Sequence, residues 1–117
     1  MKLNIPQSPI HVTSPKVTFV LDDKGGAHVK IILFIEDFPP IQHDKTDQGS
    51  KSTTIELQQG KSYSCDVLIA AFKYGALNAT YDSTITANGI LLPSAKGCIP
   101  DGDLSDMEYG NFTLTVD

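Results

Sequence analysis

The chain has 117 residues, 40% of them apolar and 20% charged, with nine basic residues against fourteen acidic and a formal charge of −5. That length fits one domain spanning residues 1–117, large enough to bury a core without a disulfide or a metal, and the composition excludes global disorder. The lack of any basic cluster argues against a nucleic-acid or anionic-membrane partner, and no run approaches the ~20 apolar residues of a helical membrane span.

Residues 1–9 are polar and carry Pro6 and Pro9, so they read as a flexible arm or a first edge strand. The start, Met1-Lys2-Leu3-Asn4, has no apolar run behind it and is not a secretory signal. The expected location is cytoplasmic as written, and extracytoplasmic if a leader has been removed. Ile10 and Val12 suggest a short strand, broken at Pro15. From Lys16 to Asp22 the residues alternate, with Val17, Phe19 and Leu21 on one face. Asp23-Lys24-Gly25-Gly26 is a turn, because two glycines reach positive φ at low cost. His28–Glu36 follows as a strand, and the two are expected to pair as a hairpin. Val29, Ile31, Leu33 and Ile35 take one face of that strand, and Ile32 and Phe34 make the other apolar too. Two apolar faces suggest a central strand, or one covered by a partner.

Asp37–Lys51 reads as a long connection, of the kind that is usually functional or mobile. A strand is expected over Ser52–Gln58, then a corner at Gly60, then a strand over Ser62–Phe72. Lys73–Ala76 turns around Gly75, and Ala79–Ala87 is again strand-like. Asn88-Gly89 is the strongest hairpin signal in the chain, because a type I′ turn needs positive φ at both positions. Ile90–Leu92 leads out of it, Pro93–Glu108 reads as a second long loop, and Tyr109–Val116 closes the chain with Phe112, Leu114 and Val116 on one face. Seven to eight short strands separated by turn signals predict an all-β, two-sheet antiparallel β-sandwich, with a jelly roll or open barrel as the alternative.

Within this pattern, Leu57, Gly60, Tyr63 and Val67 stand at a spacing that resembles the corner between the fifth and sixth strands of immunoglobulin-like and fibronectin type III-like sandwiches. The resemblance covers residues 55–71. It implies that a tyrosine at the start of a core strand hydrogen-bonds back across the corner, and it names no activity. The chain departs from the immunoglobulin pattern in having no tryptophan, and the material after Asn88 exceeds what a seven-strand sandwich needs.

Cys65 falls on the apolar face of its strand and reads as a buried structural thiol; a disulfide with Cys98 is the alternative. No CxxC pair and no grouping of the three histidines suits zinc. Asn78-Ala79-Thr80 and Asn111-Phe112-Thr113 match the short glycosylation tripeptide.

Four candidate sites emerge. Asp101, Asp103 and Asp106 are loop carboxylates of the type that hold calcium, although their spacing is not that of an EF-hand, and a solvated acidic loop is the competing reading. His43, Asp44 and Asp47 form a fragment of a metal or acid–base site, set against a polar loop. Phe38 and Ile41 beside Pro39 and Pro40, and Phe72, Tyr74 and Leu77 around Gly75, are loop-borne apolar groups that either bind a partner or plug the ends of the sandwich. The first strand and Tyr109–Val116 are candidate open edges. Motifs for a serine-hydrolase elbow, a zinc protease or a phosphate loop are missing from the sequence. The expected function is a non-catalytic interaction module that contacts a protein or itself, as a homo-oligomer, through loops and an edge strand. The alternatives are a small-ligand or carbohydrate-binding sandwich assisted by calcium, and a small enzyme on a β scaffold. No cofactor other than calcium is suggested.

Overall fold

A computed structural model describes residues 3–5, 8–44, 50–73 and 79–117. Every element within them is extended: β1 (Ile10–Val12), β2 (Lys16–Asp23), β3 (His28–Ile35), β4 (Ile41–Asp44), β5 (Lys51–Glu56), β6 (Ser62–Phe72), β7 (Thr80–Ala87), β8 (Ile90–Leu91), β9 (Ala95–Cys98) and β10 (Ser105–Val116). They form two sheets. The first runs β1-β10-β6-β3-β4; the second runs β5-β2-β7-β8, with β9 also paired to β7. All pairs are antiparallel except β1 with β10, which is parallel.

The alternation read from the sequence decides which side chains face inward. Val17, Phe19 and Leu21 of β2, Val29, Ile31, Leu33 and Ile35 of β3, and Tyr63, Cys65, Val67, Ile69 and Ala71 of β6 are all buried. Phe112, Leu114 and Val116 of β10 join them in one continuous core cluster between the sheets.

Several expectations are corrected. The described residues hold ten strands rather than seven or eight, because β4 and β9 lie inside the stretches read as long loops. Each is four residues long, too short for periodicity to reveal, and is stabilised by pairing with β3 or β7. β10 starts at Ser105 rather than Tyr109, since β6 is long enough to pair it from Phe72 onward.

β2 and β3 do not form a hairpin. They lie in different sheets, so the Asp23–Gly26 turn carries the chain across the sandwich. Asp23 is buried there, and its Oδ1 accepts from Asp82 N–H and Ser83 Oγ–H, both at 2.8 Å. Its Oδ2 accepts from Gly25 N–H at 3.1 Å. By contrast, Asn88-Gly89 makes the expected hairpin: both have positive φ, 49° and 81°, and β7 pairs with β8 on either side.

The first strand ends its sheet as expected, while the closing strand is covered over part of the length expected to be open. Over Leu114–Val116 it sits between β1 and β6, and the side chains of Leu3 and Ile5 lie beside it at Gly110. Leu3–Ile5 is correspondingly docked rather than free. Leu3 is buried, and Asn4 exchanges two backbone hydrogen bonds with Ser94, at 2.7 and 3.1 Å.

Candidate functional site

The corner after β5 behaves locally as its residues dictate. Gly60 takes φ 80°, a conformation that favours glycine. The backbone is then pinned by Gly60 N–H to the Val116 carbonyl at 2.7 Å and by Val116 N–H to the Lys61 carbonyl at 3.0 Å. Tyr63 is buried, and its hydroxyl oxygen accepts from Gln58 N–H at 2.8 Å, reaching back across the corner. The Lys61 ammonium stands 4.8 Å over the Tyr63 ring and 3.7 Å from the Asp37 carboxylate.

That corner braces the end of β3. Phe38 N–H donates to the Ile35 carbonyl at 3.0 Å, closing a tight turn through Asp37 at φ 68°. The Phe38 ring packs at a tilt against Tyr63, centroids 6.1 Å apart. Phe38 is therefore half-buried and held in place, so part of the end-plugging alternative applies to it. Ile41, at the start of β4, is buried in the core.

Together these residues wall a groove of about 450 Å³. Phe38, Pro39, Pro40 and Ile41 line one side, and Lys51, Thr53 and Ile55 of β5 line the other, with Gln42 at the β4 edge. Among the described residues β4 is the last strand of its sheet and β5 the last of the other. The groove thus lies where both sheets present an outer backbone edge, with apolar side chains at its walls and a lysine, a threonine and a glutamine to orient what enters.

The other candidate residues are dispersed. Phe72 sits at the far end of β6, where it pairs with His28 at the start of β3, so it does not join Phe38 and Ile41. Its exposed ring meets His28 edge-on at 6.3 Å. The Asp23–Gly26 turn and the Phe72 end of β6 do share one end of the sandwich, since β3 leaves that turn at His28. Tyr74 and Leu77 lie outside the described residues.

His43 and Asp44 alternate on β4, so His43 is buried while Asp44 points to the outer face, and the two do not act as a pair. Asp44 instead meets His28, Oδ1 to Nε2 2.8 Å, a contact that only the β3–β4 register creates. Asp47 lies outside the described residues.

Asp101 and Asp103 are exposed on the turn between β9 and β10, and Asp106 is half-buried on β10. Asp106 Oδ1 accepts from Met107 N–H at 3.0 Å. Among the described residues no group of three or more histidine, cysteine or carboxylate side chains converges to hold a metal ion. Cys65 and Cys98 are both free thiols. Burial, with the charges of Asp66 and Glu36 adding to it, pushes the Cys65 thiol up to about 12. It is thus a core group with almost no thiolate at neutral pH.

No family model, curated protein or solved structure matches this chain.

What sequence reasoning missed is the β5 wall. Thr53 and Ile55 sit two apart on a strand and so share a face, a signal present in the sequence. Their position opposite Phe38 and Pro40 follows from how the two sheets stack, which no local pattern encodes.

Proposed function

We propose that this protein is a non-catalytic interaction module that takes an extended segment of a protein partner into the groove between β4 and β5. The observation that carries this reading is the coincidence of two sheet edges with one apolar-walled groove. An edge offers backbone donors and acceptors to a visiting strand, and side-chain pockets beside it supply selectivity. The edges are also guarded: β4 is only four residues long, two prolines precede it, and Lys51 stands on β5. Such features oppose indiscriminate pairing and leave discrimination to the groove.

The finer fold assignment, an immunoglobulin-like sandwich, belongs to the same proposal. It draws support from the Tyr63 hydroxyl contact across the corner. It must accommodate an excursion, because the neighbours β6 and β10 are joined through β7, β8 and β9 of the opposite sheet.

The test is a displayed library of extended peptides panned against the protein, with the footprint of selected binders mapped by backbone amide shifts. Shifts centred on residues 38–42 and 51–55, lost in Phe38→Ala and Lys51→Glu, are the expected result. Binders that map elsewhere, or no binder at all, would remove the proposal. A second reading, a small-ligand or carbohydrate site, takes its support from the groove's volume, which falls within the ~300–1,000 Å³ typical of small-molecule pockets. A glycan screen producing the same footprint without any peptide binder would favour it.

A further inference from the structure

The outer face of the first sheet carries an apolar band that the core does not use. Register places its side chains in rows across the strands. Lys30, Ala70 and Met107 form one row; Ile32, Leu68 and Tyr109 form the next; Phe34, Asp66 and Asn111 form the third. Met107 is 63% exposed, Tyr109 58% and Phe34 38%, with Ile32 and Leu68 half-buried between them. A strand face open to water ordinarily alternates to polar residues. Here contiguous large apolar groups replace them over three adjacent strands, the pattern that marks an interaction surface.

We infer that this face is an interface between two copies of the chain, stacked face to face about a two-fold axis. The charges on the face point to a second copy rather than to an unrelated protein. An isologous contact sets each surface against itself, so a charge on one side of the axis must find its opposite on the other. Lys30 and Asp66 meet that condition, and Asp44, opposite Lys30 on β4, is engaged by His28 within its own copy. Lys30 lies one row above Ile32 on β3, Asp66 one row below Leu68 on β6, and the midpoint between them falls between Ile32 and Leu68, the centre of the apolar band. An axis lying in the face and running roughly across the strands through that point brings Lys30 of each copy against Asp66 of the other. The same operation lays Tyr109 of each copy beside Met107 of the other. The Asp66 carboxylate nearby raises the Tyr109 hydroxyl above the ordinary tyrosine range.

The dimensions fit a modest dimer. Three strands at ~4.8 Å and six residue steps at ~3.4 Å give a plane of roughly 14 by 20 Å. That plane is smaller than the ~800 Å² per partner of a standard interface, in the range of weak, transient contacts.

The inference concerns a surface other than the groove. Sedimentation equilibrium from about 1 μM to about 1 mM, a span of some 4 kcal/mol in association free energy, reads it directly. The expected result is a concentration-dependent dimer that Met107→Glu weakens by roughly 10- to 100-fold, a hot-spot-sized effect, with an unchanged melting temperature at concentrations where both proteins are monomeric. Lys30→Asp and Asp66→Lys should each weaken it, and mixing the two single variants should restore a heterodimer, because one contact is then reversed, the other is kept, and both pair opposite charges. Phe38→Ala should leave the dimer intact, which separates this outcome from the fate of the groove. A chain that stays monomeric at about 1 mM, or a dimer indifferent to Met107→Glu, overturns the inference. So does a dimer in which mixing the two charge variants restores nothing.

Discussion

The two chain reversals rich in glycine, Asp23–Gly26 and Asn88–Gly89, look alike as text and differ in what holds them. Asn88–Gly89 is a local device. Its two residues adopt φ 49° and 81°, the flanking strands pair with each other, and a Cβ on Gly89 would meet nothing within 4 Å. Asp23–Gly26 is a tertiary device. Its flanking strands belong to different sheets, and its backbone lies against β7: Ala27 N–H donates to the Thr80 carbonyl at 2.7 Å and Lys24 N–H to the Asp82 carbonyl at 3.0 Å. The lesson is that glycine marks where a chain may reverse, for reasons that can be conformational in one place and steric in another.

The sharpest way to break the comparison is Gly25→Ala. A Cβ there would stand 2.3 Å from the Thr80 carbonyl oxygen and 2.5 Å from the Tyr81 Cα, both backbone atoms that cannot rotate away. Either β7 or the crossing must move, at a cost of about 3–5 kcal/mol. At roughly 4 °C per kcal/mol for a chain of this size, melting should fall by about 12–20 °C. A variant that melts within a few degrees of wild type would show that the close approach is not rigid.

Asp23→Ala comes next. It leaves the N–H groups of Asp82 and Gly25 and the buried Ser83 hydroxyl without this acceptor. Unsatisfied buried donors cost about 1–3 kcal/mol each where water cannot replace the lost partner. Because part of this turn is near solvent, a total of about 2–4 kcal/mol is expected in urea denaturation. A loss well under 1 kcal/mol would mean that water substitutes for the carboxylate throughout.

These residues also show how far the sequence was legible. The inward faces of β2, β3, β6 and β10 followed from alternation alone, since that property depends only on neighbours two apart. Strand pairing did not. Asp23–Gly26 signalled a reversal correctly, but nothing local separates a hairpin from a crossing between sheets. The information is carried by Asp82, Ser83 and Thr80, nearly sixty residues away in sequence. The candidate site divides the same way. Phe38 and its prolines were visible as an apolar loop, and Tyr63 as a corner residue. The opposing wall of Thr53 and Ile55, and the meeting of His28 with Asp44, needed the fold. The acidic run at Asp101–Asp106 was visible for its composition, yet alternation along β10 turns Asp106 toward the inner face, away from the exposed turn that bears the other two.

At the hairpin, smaller effects are expected. Asn88 does two jobs there. It tolerates its positive φ, and its side chain ties the turn to β2, with Oδ1 accepting from Thr18 N–H at 2.8 Å and Nδ2 donating to the Lys16 carbonyl at 3.3 Å. Asn88→Ala should therefore cost about 1–2 kcal/mol, more than its exposed position alone suggests.

Gly89→Ala isolates the conformational part. Its neighbourhood is open, so no clash contributes, and its φ of 81° is the sole source of strain. An L-residue held there costs about 1 kcal/mol, offset slightly because alanine also restricts the unfolded chain. Native-state hydrogen exchange should show the loss confined to the β7–β8 turn, with the Gly25 crossing as protected as before. If Gly89→Ala instead destabilised the molecule as much as Gly25→Ala, the hairpin would have to be coupled to the sheet stacking, and the division between a local and a tertiary reversal would fail. A near-neutral Gly89→Ala beside a severe Gly25→Ala would locate the fold's specification in the crossing, where backbone meets backbone, and leave the hairpin as a connection whose chemistry fixes register only for the two residue pairs beside it.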